Sequence, residues 1–177
     1  MSGTWQPEGE DRRDYSPTRG EQETVLAYLR NYRVVFEMKC EGLDAEQLAR
    51  RSVPPSTMSL LGLVRHLAKV EHSWNRRVLQ GEMDLPLLYR TEEDRDADFN
   101  GAVADPAVVE DAWASWRREV AAADAWIDQD TDWDRMVRVH DDEIEVRDVM
   151  VHLVEEYARH VGHVDLLREC IDGRTGQ

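Results

Sequence analysis

From residue 21 onward apolar side chains begin to recur at helical spacing. Val25, Leu26, Leu29, Tyr32, Val35 and Phe36 stand three or four residues apart, which gathers them on one side of a helix with 3.6 residues per turn. The pattern predicts a first long helix over 21–41 that Gly42 can end, with Asp44 capping a short turn through Leu48. Pro54 and Pro55 interrupt the chain. Ser59 then offers an N-cap to a second long helix that carries Leu60, Leu61, Leu63, Val64, Leu67, Val70, Trp74 and Val78 and ends near Gly81. Residues 82–105 hold the acidic cluster Glu92, Glu93, Asp94, Asp96 and Asp98 and too little period for a long helix, so they read as a long crossover connection with short helical pieces. Asp105 followed by Pro106 is a start signal, because aspartate caps and proline suits the first turn. A third long helix therefore runs to about Ile127, with Val109, Trp113, Trp116, Val120 and Ala123 inward. Residues 128–145 contain six aspartates and two glutamates, and the alternation at Met136, Val137 and Val139 is that of a small hairpin. From Val146 to about Ile171 the set Val149, Leu153, Tyr157, Val161, Val164, Leu167 and Ile171 keeps a helical period, and Gly173 stops it.

Four long amphipathic helices and few strand signals predict an all-α fold, a four-helix bundle over residues 21–173. Residues 1–20 carry Gly3, Pro7, Gly9, Pro17 and Gly20 without any period and read as an extended or mobile N-terminal arm, which Trp5 and Tyr15 could tether. A chain of 177 residues suits one hydrophobic core. The net charge of −15 repels polyphosphate and argues against nucleic acid as a partner. No apolar run approaches the roughly 20 residues of a membrane span. The first residues, with Glu8, Glu10, Asp11 and Asp14, lack the basic-then-apolar order of a secretory signal, so a cytoplasmic protein is expected. The two cysteines, Cys40 and Cys170, fall in helical segments without CxxC spacing and read as reduced structural thiols. Only Lys39 and Lys69 of the 22 basic residues are lysines, a bias of high-GC bacterial genomes.

Candidate chemistry concentrates on the last helix. His152, Glu156, His160 and His163 lie at about 0°, 40°, 80° and 20° around it at 100° per residue, so the four share one narrow face. Imidazole and carboxylate at spacings of three and four can hold one divalent ion. The second helix offers His66, flanked by Leu63, Leu67 and Val70, and a bundle can bring facing helices together at a metal. Histidines three apart on a helix are common and mostly solvated, so spacing proposes this site without deciding it. His72 stands about 240° from His66 and should face elsewhere. His140 belongs to an acidic loop and reads as solvated. Trp74, Trp113, Trp116, Trp126 and Trp133 could line a pocket, though core packing suits at least Trp113 and Trp116. The acidic runs at 92–98 and 141–145 read as solvated loops, and neither has calcium-loop spacing.

The runs GEQETVLAYLRNYR, CEGLDAEQLARRSVPPSTMSLLGLVRHLAKVEHSW and VHLVEEYARHVGHVDLLRECIDG resemble an actinobacterial branch of the DinB-like superfamily over about residues 20–173. The resemblance implies a DinB-like four-helix bundle, often dimeric, with a divalent ion held by one histidine of the second helix and two ligands four apart on the last. It implies His66, Glu156 and His160 as metal ligands, glutamate standing where many relatives have histidine, and His163 where glutamine is frequent. His66 with His160 and His163 is the alternative set. Members of the superfamily are thiol S-transferases using mycothiol, bacillithiol or glutathione, and a related group isomerises maleylpyruvate. The expected function is thus a divalent-metal-dependent transfer of a small thiol, mycothiol first, to an electrophile, with zinc or nickel as the metal. His163, or else His152, is the candidate catalytic base or orients a ligand. The alternatives are a mycothiol-dependent isomerase, for which Arg65, Arg76, Arg77 or Arg159 would hold carboxylates, and a non-catalytic metal-binding stress protein. A homodimer fits the excess of valine on the last helix at Val146, Val149, Val151, Val154, Val161 and Val164.

Overall fold

A computed structural model describes residues 11–127, 129 and 132–175, so Trp5 and the first half of the expected arm lie outside the described residues. Among the described residues the chain is mostly helical. Helices α1 (Glu21–Cys40), α2 (Ala45–Ala49), α3 (Leu60–Glu71), α4 (Ala97–Asn100), α5 (Pro106–Ile127) and α6 (Val146–Asp172) are joined by one two-stranded hairpin, β1 (Met136–Val139) and β2 (Asp142–Glu145). The hairpin is antiparallel, with Val137 opposite Ile144.

The helix ends follow local chemistry. At α2 the Asp44 carboxylate accepts from the Gln47 amide at 2.8 Å, and the Gln47 side chain accepts from the Asp44 amide at 3.0 Å, a reciprocal cap on two otherwise orphaned donors. Ser59 Oγ accepts from the Gly62 amide at 3.0 Å to start α3. Asp105 accepts from the Ala107 amide at 2.8 Å ahead of α5. Gly173 closes α6 in the left-handed conformation, φ 76°, donating to the Glu169 carbonyl at 2.9 Å. One feature departs from the sequence reading. The second long helix does not stay α-helical to Gly81; from His72 to Leu79 it widens into a π-helix, with the Gln80 amide reaching the Asn75 carbonyl.

The four long helices share one core. α1 packs on α6 and α3 on α5, while α3 also meets α6. Leu60, Leu61, Leu63, Val64 and Leu67 are fully buried on α3, and Val149, Leu153, Tyr157 and Val164 on α6. Each aliphatic side chain so buried contributes about 1.5–3 kcal/mol. Arg168 of α6, also buried, donates to the carbonyls of Lys39 and Glu41 at 2.8 Å each and so satisfies the C-terminal end of α1. On α5 the buried line runs through Ala112, Ser115, Trp116, Glu119, Ala123 and Ile127. Val109, Trp113 and Val120, expected inward, are only partly buried, while Glu119 is buried against His72. The described part of the arm lies across α1, where the Asp14 amide donates to Asn31 at 2.8 Å and Arg12 pairs with Glu37. Tyr15 itself is 73% exposed. Of the six valines on α6, Val146, Val149, Val161 and Val164 fill this chain's own core and Val151 faces outward. No helix among the described residues is long and apolar enough to cross a membrane.

Candidate metal centre

α3 and α6 meet with their chemistry-bearing faces together. His66 Nε2 lies 3.8 Å from Glu156 Oε2, and His160 Nε2 lies 3.3 Å from the same oxygen. The His66 and His160 rings stand edge to face, centroids 4.7 Å apart. One donor atom from each of His66, Glu156 and His160 falls within 4.8 Å of the other two. Donors about 2.0–2.2 Å from a tetrahedral zinc stand roughly 3.3 Å from one another, so only small side-chain adjustments separate this arrangement from a coordination sphere. Two imidazoles and a carboxylate are also a donor set that leaves a fourth position open for a reacting group. The residues therefore fit a divalent cation.

The far nitrogens of both rings are engaged. His66 Nδ1 lies 2.9 Å from Asp98 Oδ2. His160 Nδ1 lies 3.2 Å from His163 Nδ1, so His163 touches the cluster through His160. His152 reaches the other oxygen of Glu156 at 3.5 Å and packs edge to face on Trp74, 4.8 Å between centroids. The alternative set of His66, His160 and His163 is not what the chain gathers, since the atom of His163 nearest the cluster bonds the outward nitrogen of His160.

The electrostatics follow from this packing. Hydrogen bonding from His160 and then His66 holds the Glu156 carboxyl well below the usual carboxylate range. Burial by itself would depress His66, but the carboxylates of Asp98 and Glu156 outweigh it and raise the ring above its ordinary value. Burial lowers His163, and the neighbouring His160 and Arg159 push the same way, so its neutral form is favoured.

Asp98 corrects the sequence reading, which placed it in a solvated acidic run. Glu92, Glu93 and Asp96 are exposed as expected, yet Asp98 is 0% exposed, and its Oδ2 pairs with Lys69 Nζ at 2.5 Å as well as with His66. No spacing rule distinguishes it from its acidic neighbours; the only hints are the aromatic Phe99 beside it and one of the chain's two lysines, Lys69, three residues beyond His66. Phe99 stacks on His66 at 5.3 Å, and a Cβ on Gly62 would stand 2.7 Å from the Phe99 ring, so glycine is what admits the crossover so close to α3.

Other candidates are placed elsewhere. His72 faces away from the cluster, buried between Glu119 at 3.2 Å and the Pro86 carbonyl at 3.0 Å. His140 is exposed in the hairpin turn. Cys40 is buried and Cys170 exposed, both free, and burial pushes the Cys40 thiol up to about 12. Trp116 belongs to the core, donating to the Tyr157 hydroxyl at 2.8 Å.

The sequence model of the family described as Mycothiol-S-transferase matches residues 24–173. This chain belongs to the mycothiol-S-transferase family. The match spans every long helix almost whole and includes His66, Asp98, Glu156, His160 and His163, and it places the chain in the DinB-like superfamily. Neither the curated proteins nor the solved structures give a match. The family implies a small-molecule thiol as substrate.

Proposed function

We propose that this chain is a divalent-metal-dependent thiol S-transferase that joins mycothiol to an electrophile, built on a four-helix bundle of DinB-like type. The single observation that carries the reading is the convergence of His66, Glu156 and His160 in a member of a mycothiol transferase family. His66 Nε2, one Glu156 oxygen and His160 Nε2 would hold the cation. Bound there, it would supply Lewis acidity that brings a thiol's pKa from about 8.5 towards neutrality.

The remaining work falls to the chain. Glu156 offsets one positive charge, so the site suits an anionic sulfur less strongly than three histidines would and favours its release to the electrophile. His163 would orient a ligand: His160, bare at Nε2 towards the cation, keeps its proton on Nδ1 and donates it to His163 Nδ1, so neutral His163 carries its own proton on Nε2 and the thiol proton leaves to solvent. Phe99 and Trp74, packed on His66 and His152, restrict water beside the cluster. Neither cysteine is needed as nucleophile, since Cys40 is buried in the core and Cys170 lies on another side of α6.

A diacid isomerase is less well supported, because the arginines it needs are committed. Arg65 donates to the carbonyls of Asp98 and Ala97, Arg76 pairs with Glu82, Arg77 reaches the Leu85 carbonyl and Arg159 pairs with Glu155. A non-catalytic metal protein would bind the ion and turn over nothing. Zinc- or nickel-loaded protein should consume mycothiol in the presence of a test electrophile such as a monobromobimane-type reagent, above the uncatalysed rate. Metal-loaded protein inert towards mycothiol, bacillithiol and glutathione alike would overturn the transferase reading.

A further inference from the structure

His66 has two nitrogens, and only one can face the cluster with a lone pair. A neutral imidazole carries its proton on Nδ1 or on Nε2, and a metal ligand is the bare nitrogen, so whatever binds the other nitrogen chooses the tautomer. At His66 that choice is contested. Nε2 faces the Glu156 carboxylate at 3.8 Å, which would draw a proton there, while Nδ1 faces Asp98 at 2.9 Å.

We propose that Asp98 is a positioning residue of the metal centre: its buried carboxylate accepts the Nδ1 proton of His66 and leaves Nε2 bare towards Glu156 and His160. The inference rests on the metal reading above. Three observations carry it. The Asp98 bond is the shorter of the two and lies within normal hydrogen-bond distance, whereas 3.8 Å is beyond it. Asp98 is wholly buried, and its Oδ2 is held by two partners, His66 and Lys69, with no third among the described residues. Finally, the crossover is built to deliver it: Arg65 clamps the carbonyls of Ala97 and Asp98 at 3.0 and 2.9 Å, and Phe99 stacks on the His66 ring. A four-residue helix otherwise remote from α6 thus governs what α3 presents to α6. Outer partners of this kind are worth about 10–100-fold in metal affinity.

Asp98→Ala removes the acceptor. Without Oδ2, which His66 Nδ1 and Lys69 Nζ share, the Glu156 carboxylate is the acceptor left beside the ring and draws the proton to Nε2. Nitrogen-15 NMR of the metal-free chain, at a pH where the ring is neutral, reads the tautomer directly. Wild type should carry the His66 proton on Nδ1, and D98A on Nε2, with zinc affinity by competition titration reduced about 10–100-fold. Asn100→Ala serves as control, removing side-chain bonds to Asp94 from the same short helix without touching His66; it should keep the wild-type tautomer and affinity. A wild-type proton on Nε2, or an unchanged tautomer in D98A, overturns the assignment without need of any metal. A wild type with the expected tautomer that binds no divalent ion overturns instead the metal reading, and with it the purpose assigned to the bond.

Discussion

Glu156 sits between two imidazoles and takes a hydrogen-bonding or ionic contact from each, which makes it the pivot of the cluster at the scale of single residues. If it is a ligand, Glu156→Ala and His66→Ala should each lower bound zinc from near one equivalent to a small fraction, while His163→Ala retains it, as elemental analysis of purified protein would read. Retention in Glu156→Ala with loss in His163→Ala would move the site to the three-histidine set. The protonation of His66 gives a second expectation. Its raised pKa means that the folded state favours the imidazolium, so this contribution to stability is fully present below about 6.5 and is lost as the pH rises through the raised value. Metal-free protein should therefore lose stability, followed by urea denaturation, as the pH rises from about 6.5 through that raised value, and His66→Gln should lose less. An equal loss in both would assign the slope to other groups.

Elements matter because the cluster exists only if α3 and α6 hold one rotational setting. That setting is locked beside the site by a buried polar network. Tyr157, the neighbour of Glu156, donates to Glu71 Oε1 at 2.7 Å; Arg33 of α1 clamps the same carboxylate through Nε and Nη2 at 2.8 Å each; Asn75 of the π segment adds a bond at 2.6 Å. Three elements are thereby fixed through one carboxylate. Burial opposes the charge on Arg33, but Glu71 outweighs it and raises the guanidinium further. Because Glu71 is 0% exposed, removing its cationic partner leaves a buried charge uncompensated. Arg33→Met should cost about 3–5 kcal/mol in urea denaturation and should weaken zinc binding as well, although Arg33 touches none of the three ligands. A cost under about 1 kcal/mol would mean that the helices hold their setting by apolar packing alone.

At the scale of the whole molecule, a cation held by α3 and α6 would tie together two helices whose ligands are 90 residues apart in the chain, from 66 to 156. Ligand that binds only the folded state stabilises it by mass action, about 2.7 kcal/mol at 100 times the dissociation constant. A chelator should accordingly lower the Tm of metal-loaded protein by several degrees, and a ligand-deficient variant such as His66→Ala should show no chelator effect. An equal shift in both would place the stabilising metal elsewhere.

How much of this the sequence carried by itself follows from the range of the forces involved. Helix limits were legible because they are local. Ser59, Asp44, Asp105 and Gly173 cap or stop helices using bonds within a few residues, and the inward faces of α1, α3 and α6 recur at 3.6 residues because each must bury one stripe. The strip of His152, Glu156, His160 and His163 was legible for the same reason, and resemblance to the DinB-like superfamily named His66 as its counterpart. Only the tertiary structure decided which nitrogens and oxygens meet. It turned Asp98 from a supposed solvated acid into a buried one, shifted the inward line of α5 to admit Glu119, widened the second helix into a π turn and joined Arg33 to Glu71. Those outcomes depend on partners 30 to 90 residues away, and a buried charge follows no period along the chain: what brings it inside is an opposite charge or donor that only packing places beside it.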